Sequence, residues 1–443
     1  VLYDPWTGGG ATPSEPAGPF TVKLYRLSTF APSSQINPAD TVGVGDKVYV
    51  EVTGTDSDAV NANSTSVTVK TDVTYPAGIS ITLLETGANT GIFRGYVRIA
   101  ASTQTSDVYD FIGAVIGAGD DIIATKDTVS ASAVISSQAT WWAVNSPEDI
   151  PSDLTIPSGC KLTAEPGVIS RYFGISTNLI ISGELIANGT AVSPIYFTTT
   201  SNWDGLYFNT TALSTCSLSY AYVEGATYGV YCNAVSPSIS YCTIRNNTNR
   251  GIYVYNAKPS ITYCTITNNT AENGIYIYWQ NVNINGITIT NNTITNNGNG
   301  DDTDGGIYIY TLSDQWTATT YTVSSTTNQM VITNNTVNNN NKNGIYLYNY
   351  RSSGSGGDLL MNSIKMEDNS LNQNTNYGLR INATGYATAS YSKISGTVNG
   401  NIVKNHRATP NDAGIYAYSN STDSRGQLDL TIRRNIVQLN YRG

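Results

Sequence analysis

One short phrase, copied eight times, restricts the folds open to this chain more than any other feature. Gly251-Ile252-Tyr253-Val254-Tyr255 returns as Gly274-Ile275-Tyr276-Ile277-Tyr278, Gly306-Ile307-Tyr308-Ile309-Tyr310, Gly344-Ile345-Tyr346-Leu347-Tyr348 and Gly414-Ile415-Tyr416-Ala417-Tyr418. Looser copies begin at Gly205, Gly229 and Gly378, and successive glycines lie 24, 22, 23, 32, 38, 34 and 36 residues apart. A second phrase, Cys264-Thr265-Ile266-Thr267-Asn268-Asn269, precedes most of these glycines and recurs around Ile294, Val337, Leu371, Ile402 and Ile436. A fixed unit that recurs with variable insertions marks a solenoid.

Within each unit the apolar residues alternate. Ile252 and Val254 point one way and Tyr253 and Tyr255 the other, a period of two that belongs to strands. β-Branched and aromatic residues fill these segments, while Asn, Gly, Ser and Thr fill the gaps. A coil of 22–24 residues holds three short strands and three turns. Stacked coils pair each strand in parallel with its counterpart about 4.8 Å away. The expectation is a parallel β-helix whose longer intervals carry inserted loops, such as Ser352 to Asp358.

Asparagine pairs dominate the turns, for example Asn246-Asn247, Asn268-Asn269, Asn291-Asn292 and Asn334-Asn335. Asn tolerates the left-handed backbone of sharp turns, and in-register copies form amide ladders between coils. The competing reading is glycosylation, since Asn63, Asn188, Asn209, Asn246, Asn268, Asn291, Asn334, Asn382 and Asn420 each head an Asn-x-Ser/Thr sequon.

Composition removes several classes of function. Charged residues make up only 12% of the chain, and the net charge is −9. Phosphate binding needs basic clusters, so no nucleic-acid partner is expected. No apolar run is long enough to span a membrane. Val1 is not an initiator, which fits a mature, processed chain. Cys160, Cys216, Cys232, Cys242 and Cys264 make no disulfide framework. Cys242 and Cys264 fill one slot in neighbouring coils and read as small core residues. A bridge between them is awkward for in-register strands.

Three segments are expected. Residues 1–19 form an extended tail, Val1-Leu2-Tyr3-Asp4-Pro5-Trp6 followed by a Gly- and Pro-rich spacer. Residues 20–135 contain seven alternating stretches that suggest a β-sandwich. Leu83-Leu84-Glu85-Thr86-Gly87-Ala88-Asn89-Thr90-Gly91-Ile92-Phe93 resembles a segment of immunoglobulin-like modules in prokaryotic surface proteins, which implies an immunoglobulin-like sandwich. Residues 136–443 form the solenoid. Its opening, Leu154 to Gly167, Ile181 to Thr190, Pro194 to Thr198 and Trp203-Asp204-Gly205-Leu206, resembles the first coils of right-handed parallel β-helix repeat proteins of the cell surface. That resemblance implies a right-handed, all-β, pectate-lyase-like superfold in an extracellular setting.

The last phrase, Arg434-Asn435-Ile436-Val437-Gln438-Leu439-Asn440, runs into Tyr441-Arg442-Gly443 where another coil would begin. Meanwhile Val1-Leu2-Tyr3 is a strand without a sheet. Donation of the tail of one copy to the open edge of the next would satisfy both, and a head-to-tail contact that does not close makes a filament. The expected interface is Val1, Leu2, Tyr3 and Trp6 against Asn435, Ile436, Val437, Leu439, Tyr441 and Gly443.

Two tyrosine ladders are expected on the outward face: Tyr253, Tyr276, Tyr308, Tyr346 and Tyr416, and Tyr255, Tyr278, Tyr310, Tyr348 and Tyr418. Such ladders stabilise sheets. They would also expose an apolar stripe suited to lateral bundling or to surface glycans. Oxygen-rich loops at Asp56 and Asp58, and at Asp301, Asp302 and Asp304, are candidate calcium sites, with solvated turns the alternative. Sugar cleavage needs converging carboxylates or a cation with a basic residue. The few acids beyond residue 200 (Glu224, Glu272, Asp314, Asp358, Asp412, Asp423 and Asp429) do not align from coil to coil, Arg380 and Asp412 make a single pair, and His406 sits in a charged turn. The expected function is a non-enzymatic extracellular filament subunit, the alternatives being a carbohydrate-binding adhesin and a polysaccharide lyase or hydrolase.

Overall fold

The structure is a computed structural model that describes residues 16–56, 60–101, 111–114, 120–174, 176–314, 319–325, 329–352, 357–385, 391–406, 413–420 and 425–438. The chain divides into two compact units, Val1–Thr140 and Trp141–Gly443. The sequence places a boundary at 135/136, but strand Val129–Ser136 pairs through Ser136 with Thr41–Gly43 and so stays within the first unit.

In the first unit, alternation produces strands with one dry face. Ile79, Ile81 and Leu83 are buried while Ser80, Thr82 and Leu84 face solvent. The path runs Gln35–Ile36, Ala17–Tyr25, Lys47–Thr55, Ile92–Ala101, Ile79–Glu85, Ser64–Thr71, Asp121–Lys126, Val129–Ser136 and Thr41–Gly43, with Phe111–Ala114 added beside Ile92–Ala101. Most neighbours are antiparallel, and the core includes Leu24, Val50, Val69, Ile81, Phe93 and Ile122. The pairing makes one ten-stranded sheet, not two separate ones. Each of the seven expected stretches overlaps a strand, with Arg26, Leu27, Asp46, Asp72 and Val73 falling outside; the short strands Gln35–Ile36, Thr41–Gly43 and Phe111–Ala114 are additional.

The Glu-Thr-Gly-Ala-Asn-Thr-Gly segment is a self-capped turn. Glu85 Oε1 accepts from the amides of Thr90 (2.7 Å) and Gly91 (2.9 Å), and Oε2 accepts from that of Asn63 (2.9 Å). Asn89 supplies the left-handed residue at φ 58°. Its residue types answer to backbone amides that would otherwise be buried unpaired.

The second unit is a parallel solenoid. Each coil gives one strand to each of three sheets, which hold 12, 11 and 10 strands. In the third sheet Leu206, Val230, Ile252, Ile275, Ile307, Ile345, Leu379 and Ile415 form one register column, so all eight copies of the phrase stack as the repeat demands. Seven of the eight are fully buried. Each such side chain contributes about 1.5–3 kcal/mol on burial, and the sum over columns holds the rod together.

The glycine of the phrase is a packing requirement. A Cβ at Gly274 would stand 2.8 Å from Ile294 Cγ2 and 2.9 Å from Asn297 Nδ2. The two repeated phrases are therefore one device, because the asparagine of one lies against the glycine of the other.

The long intervals are not loops alone. Third-sheet strands grow from six residues at Arg250–Tyr255 to nine at Gly305–Ser313 and Asn343–Arg351. First-sheet strands grow from three residues at Ser260–Thr262 to nine at Leu359–Glu367 and Tyr391–Asn399. A register shift between Met361 and Ile364, with Ser363 at φ 56°, takes up the irregularity. The insertion continues the period-two pattern at Leu359-Leu360-Met361, and so it joins the sheet instead of looping out.

Candidate functional site

The third sheet carries the tyrosines. Ring centroids in the first column are 5.0 Å apart for Tyr207–Tyr231, 4.5 Å for Tyr231–Tyr253, 5.4 Å for Tyr253–Tyr276, 5.3 Å for Tyr276–Tyr308 and 4.8 Å for Tyr308–Tyr346. The second column runs Tyr255, Tyr278, Tyr310 and Tyr348 at 5.3–5.7 Å. Most of these rings stack face on face. Their faces are consumed by one another, and only edges and hydroxyls turn outward. Tyr207 and Tyr231 extend the expected ladder by two coils, and the looser phrases at Gly205 and Gly229 carried that signal.

The ladders also end sooner than expected. Arg380 and Asn382 take the register places between Tyr346 and Tyr416 and between Tyr348 and Tyr418. The Arg380 guanidinium lies 4.4 Å over the Tyr346 ring. Arg250 covers Tyr253 and Tyr276 at 4.8 and 4.2 Å and pairs with Glu272. Tyr308 is 6% and Tyr346 4% exposed, so the centre of the stripe is buried and the expected open apolar band is interrupted. Burial, with the neighbouring Asp314 carboxylate, pushes the Tyr278 phenol up to about 12. Burial pushes Tyr346 up to about 12 against the pull of Arg380.

Two asparagine ladders line the turns. In one, Asn247, Asn269, Asn297, Asn340 and Asn374 are buried, and the Nδ2 of Asn247, Asn269, Asn297 and Asn340 donates to the Oδ1 of the residue one coil on at 2.8–3.0 Å. In the other, Cys264 N donates to Asn292 Oδ1, and Asn292, Asn335, Asn369, Asn401 and Asn435 continue the series. His406 is the next rung after Asn374. It is fully buried, with Nδ1 2.9 Å from Asn374 O and Nε2 3.1 Å from Leu371 O. The expected charged turn is thus an interior position. It escaped notice because ladder membership depends on register across a coil.

This arrangement sorts the sequons. Asn246, Asn268, Asn291 and Asn334 hold the left-handed turn at φ 55–59° and face solvent, while the next asparagine is the buried rung. Asn188 is exposed, and Asn209 and Asn420 are half-buried. Asn63 and Asn382 are buried, Asn63 donating to Asp56 Oδ1 and Asn382 to the Tyr346 hydroxyl. A glycan has no room at either, which corrects those two sites.

The acids do not converge. Glu224 pairs with Arg245, Asp429 with Lys393 and Asp302 with Lys342. Asp314 accepts from Gln280 and Asn281, and Asp358 from the Tyr391 amide. Of the candidate calcium ligands Asp301, Asp302 and Asp304, Asp304 caps a turn, its Oδ2 accepting from the amides of Asn299, Gly300 and Asp301. Among the described residues no cluster of three metal-ligating side chains occurs. Asp58, Asp412 and Asp423, and the interface residues Val1, Leu2, Tyr3, Trp6, Leu439, Tyr441 and Gly443, lie outside the described residues. All five cysteines are buried and free. Burial pushes the Cys160 thiol up to about 11.

One cleft opens on the third sheet, near the start of the tyrosine columns. It measures about 250 Å³ and is lined by Asn178, Asp204, Gly205, Leu206, Tyr207, Tyr228 and Tyr231.

The family model for a right-handed β-helix region matches residues 172–323 and 228–437, together more than half of the chain. No curated protein and no solved structure matches it. No helix among the described residues is long and apolar enough to cross a membrane.

Proposed function

The chain belongs to the right-handed β-helix family, and we propose that it is a non-enzymatic structural rod of the cell surface. The observation that carries this is how the groups of the solenoid are used. Ring faces meet ring faces, amides meet amides, and carboxylates such as Glu224, Glu272, Asp314 and Asp304 meet cations, side-chain amides or backbone donors. Catalysis needs groups left unsatisfied and aimed at one point, whereas a rod needs every coil tied to the next. The extracellular setting rests on the resemblance of the first coils and of the Glu85 segment to surface proteins, and with it the immunoglobulin-like reading of the first unit. Incubation with a panel of neutral and acidic polysaccharides tests the reading. Unchanged polymer is expected; release of reducing ends or unsaturated products overturns it.

The finer reading is a filament subunit joined head to tail. Its support is the last described coil, where Ile432 is 47% exposed and Val437 half-buried, although their counterparts Val398 and Val403 one coil earlier are buried. A strand supplied by another copy would continue the sheet and cover them. Electron microscopy with and without residues 1–6 decides: filaments that vanish on deletion support donation, and single rods in both samples overturn it.

A further inference from the structure

We propose that the cleft at the start of the tyrosine columns binds one ring of a non-acidic sugar. Inside the columns a sugar cannot lie on an aromatic face, because rings such as Tyr276 and Tyr310 are stacked between neighbours. Tyr207 differs. Its register partner one coil earlier is Ile180, so the ring stack begins here, and only Tyr231 stacks on Tyr207 among the described residues. A phenol face on the cleft wall offers the flat, electron-rich surface that the C–H face of a pyranose packs against.

Backbone packs closely at the floor of the cleft. Gly205 pairs in register with Asn178 and takes φ +121°, and a Cβ on it would stand 1.7 Å from Tyr228 O, so only glycine lets the next coil approach here. The cleft beside this contact is walled by Asn178, Tyr207, Tyr228 and Tyr231. Its volume, about 250 Å³, is below the roughly 300–1,000 Å³ of sites for drug-sized ligands, and suits one ring better than a buried chain.

Asp204 supplies the polar edge. Its amide donates to Thr177 O at 2.7 Å, and its Oδ1 accepts from Thr227 Oγ1 at 3.0 Å. The carboxylate is thus held in place, and among the described residues nothing pairs with Oδ2. A charged acceptor of this kind takes sugar hydroxyls strongly. It also repels uronates and other acidic sugars, a bias that the net charge of −9 reinforces. Aromatic ring, small cleft and fixed carboxylate together specify a hydroxyl-rich ring without a negative charge.

The experiment is titration of the full chain with neutral hexose oligosaccharides, amino-sugar oligosaccharides and oligouronates, followed by saturation-transfer NMR. Binding of a non-acidic class is expected. Tyr207→Ala and Asp204→Asn should each weaken it by about tenfold or more, roughly 1.4 kcal/mol or more, with the circular dichroism unchanged. Tyr310→Ala, stacked between Tyr278 and Tyr348 in the second column, should bind as the parent does. The proposal is overturned if no non-acidic oligosaccharide binds at millimolar concentration, if oligouronates bind equally well, or if Tyr310→Ala loses as much as Tyr207→Ala. A chain that binds no sugar can still be an inert rod, so failure here leaves the structural reading to its own test.

Discussion

Asn297 Nδ2 donates to Asn340 Oδ1 at 3.0 Å, joining two side chains 43 residues apart in sequence and one coil apart in space. Asn340 in turn donates to Asn374 Oδ1 and to Ile294 O. Replacing Asn340 with Ala would strand the Asn297 backbone amide, leave its Nδ2 with Ile266 O and Thr295 O alone, and take the side-chain donor from the Ile294 carbonyl, all in a dry interior. A buried unpaired group costs about 1–3 kcal/mol, so a loss on the order of 3 kcal/mol is expected. Asn339→Ala, one residue earlier, keeps the ladder and loses only ease at φ 55°, a cost of about 1 kcal/mol. Urea unfolding of the two variants should separate these values; equal losses would mean that the ladder contributes no more than the turn.

His406 stands where each earlier coil has asparagine. Asn at this position could again give its amide to Leu371 O, as Asn340 does to Ile294 O, and it would also offer Asn374 an acceptor. His406→Asn is therefore expected to match or exceed the parent in thermal stability. His406→Leu leaves the carbonyls of Leu371 and Asn374 without this partner and should cost about 1–3 kcal/mol. Calorimetry of both variants is the check, and a His406→Asn protein less stable than His406→Leu would refute ladder membership.

How far the sequence reveals these relationships depends on their range. The third sheet is legible because Gly-Ile-Tyr-x-Tyr alternates within five residues, and its register follows from the copies themselves. The paired asparagines are legible for the same reason, one suited to a left-handed turn and the next to a ladder. What fails to show is whatever a distant segment decides. Tyr308 and Tyr346 are buried although their phrases match that of the more open Tyr253, because strands around them are longer. The role of His406 depends on Asn374, a coil away. The cleft depends on how Tyr228 and Tyr231 of one coil stand beside Asn178 and Tyr207 of others, which no single copy of the phrase shows.

The cysteines should be chemically silent in the folded chain. Thiolate is the reactive form, and burial pushes the Cys160 thiol up to about 11 and raises those of Cys216, Cys232 and Cys242, while Cys264, whose thiol the hydrogen bond from Cys242 lowers, is kept from a reagent by its burial. At pH 8 an aromatic disulfide reagent should find almost no thiol in the native protein and five after denaturation. Rapid native reaction of even one cysteine would show that its coil opens.

Alkali should release the tyrosine columns together with the fold. An exposed tyrosine ionises near pH 10, but burial holds Tyr278 and Tyr346 up to about 12. These are acids whose folded value lies above the unfolded one. The stability that they contribute is complete below about pH 10 and is lost as the pH rises towards about 12. Tyrosinate absorbance at 295 nm should therefore rise in two phases: exposed phenols first, then the columns, coincident with loss of the β-sheet circular dichroism. Tyr308→Phe keeps the stack without a titrating hydroxyl and should move the second phase to higher pH. A single smooth titration centred near 10 with the sheet intact would mean that the columns are open to solvent.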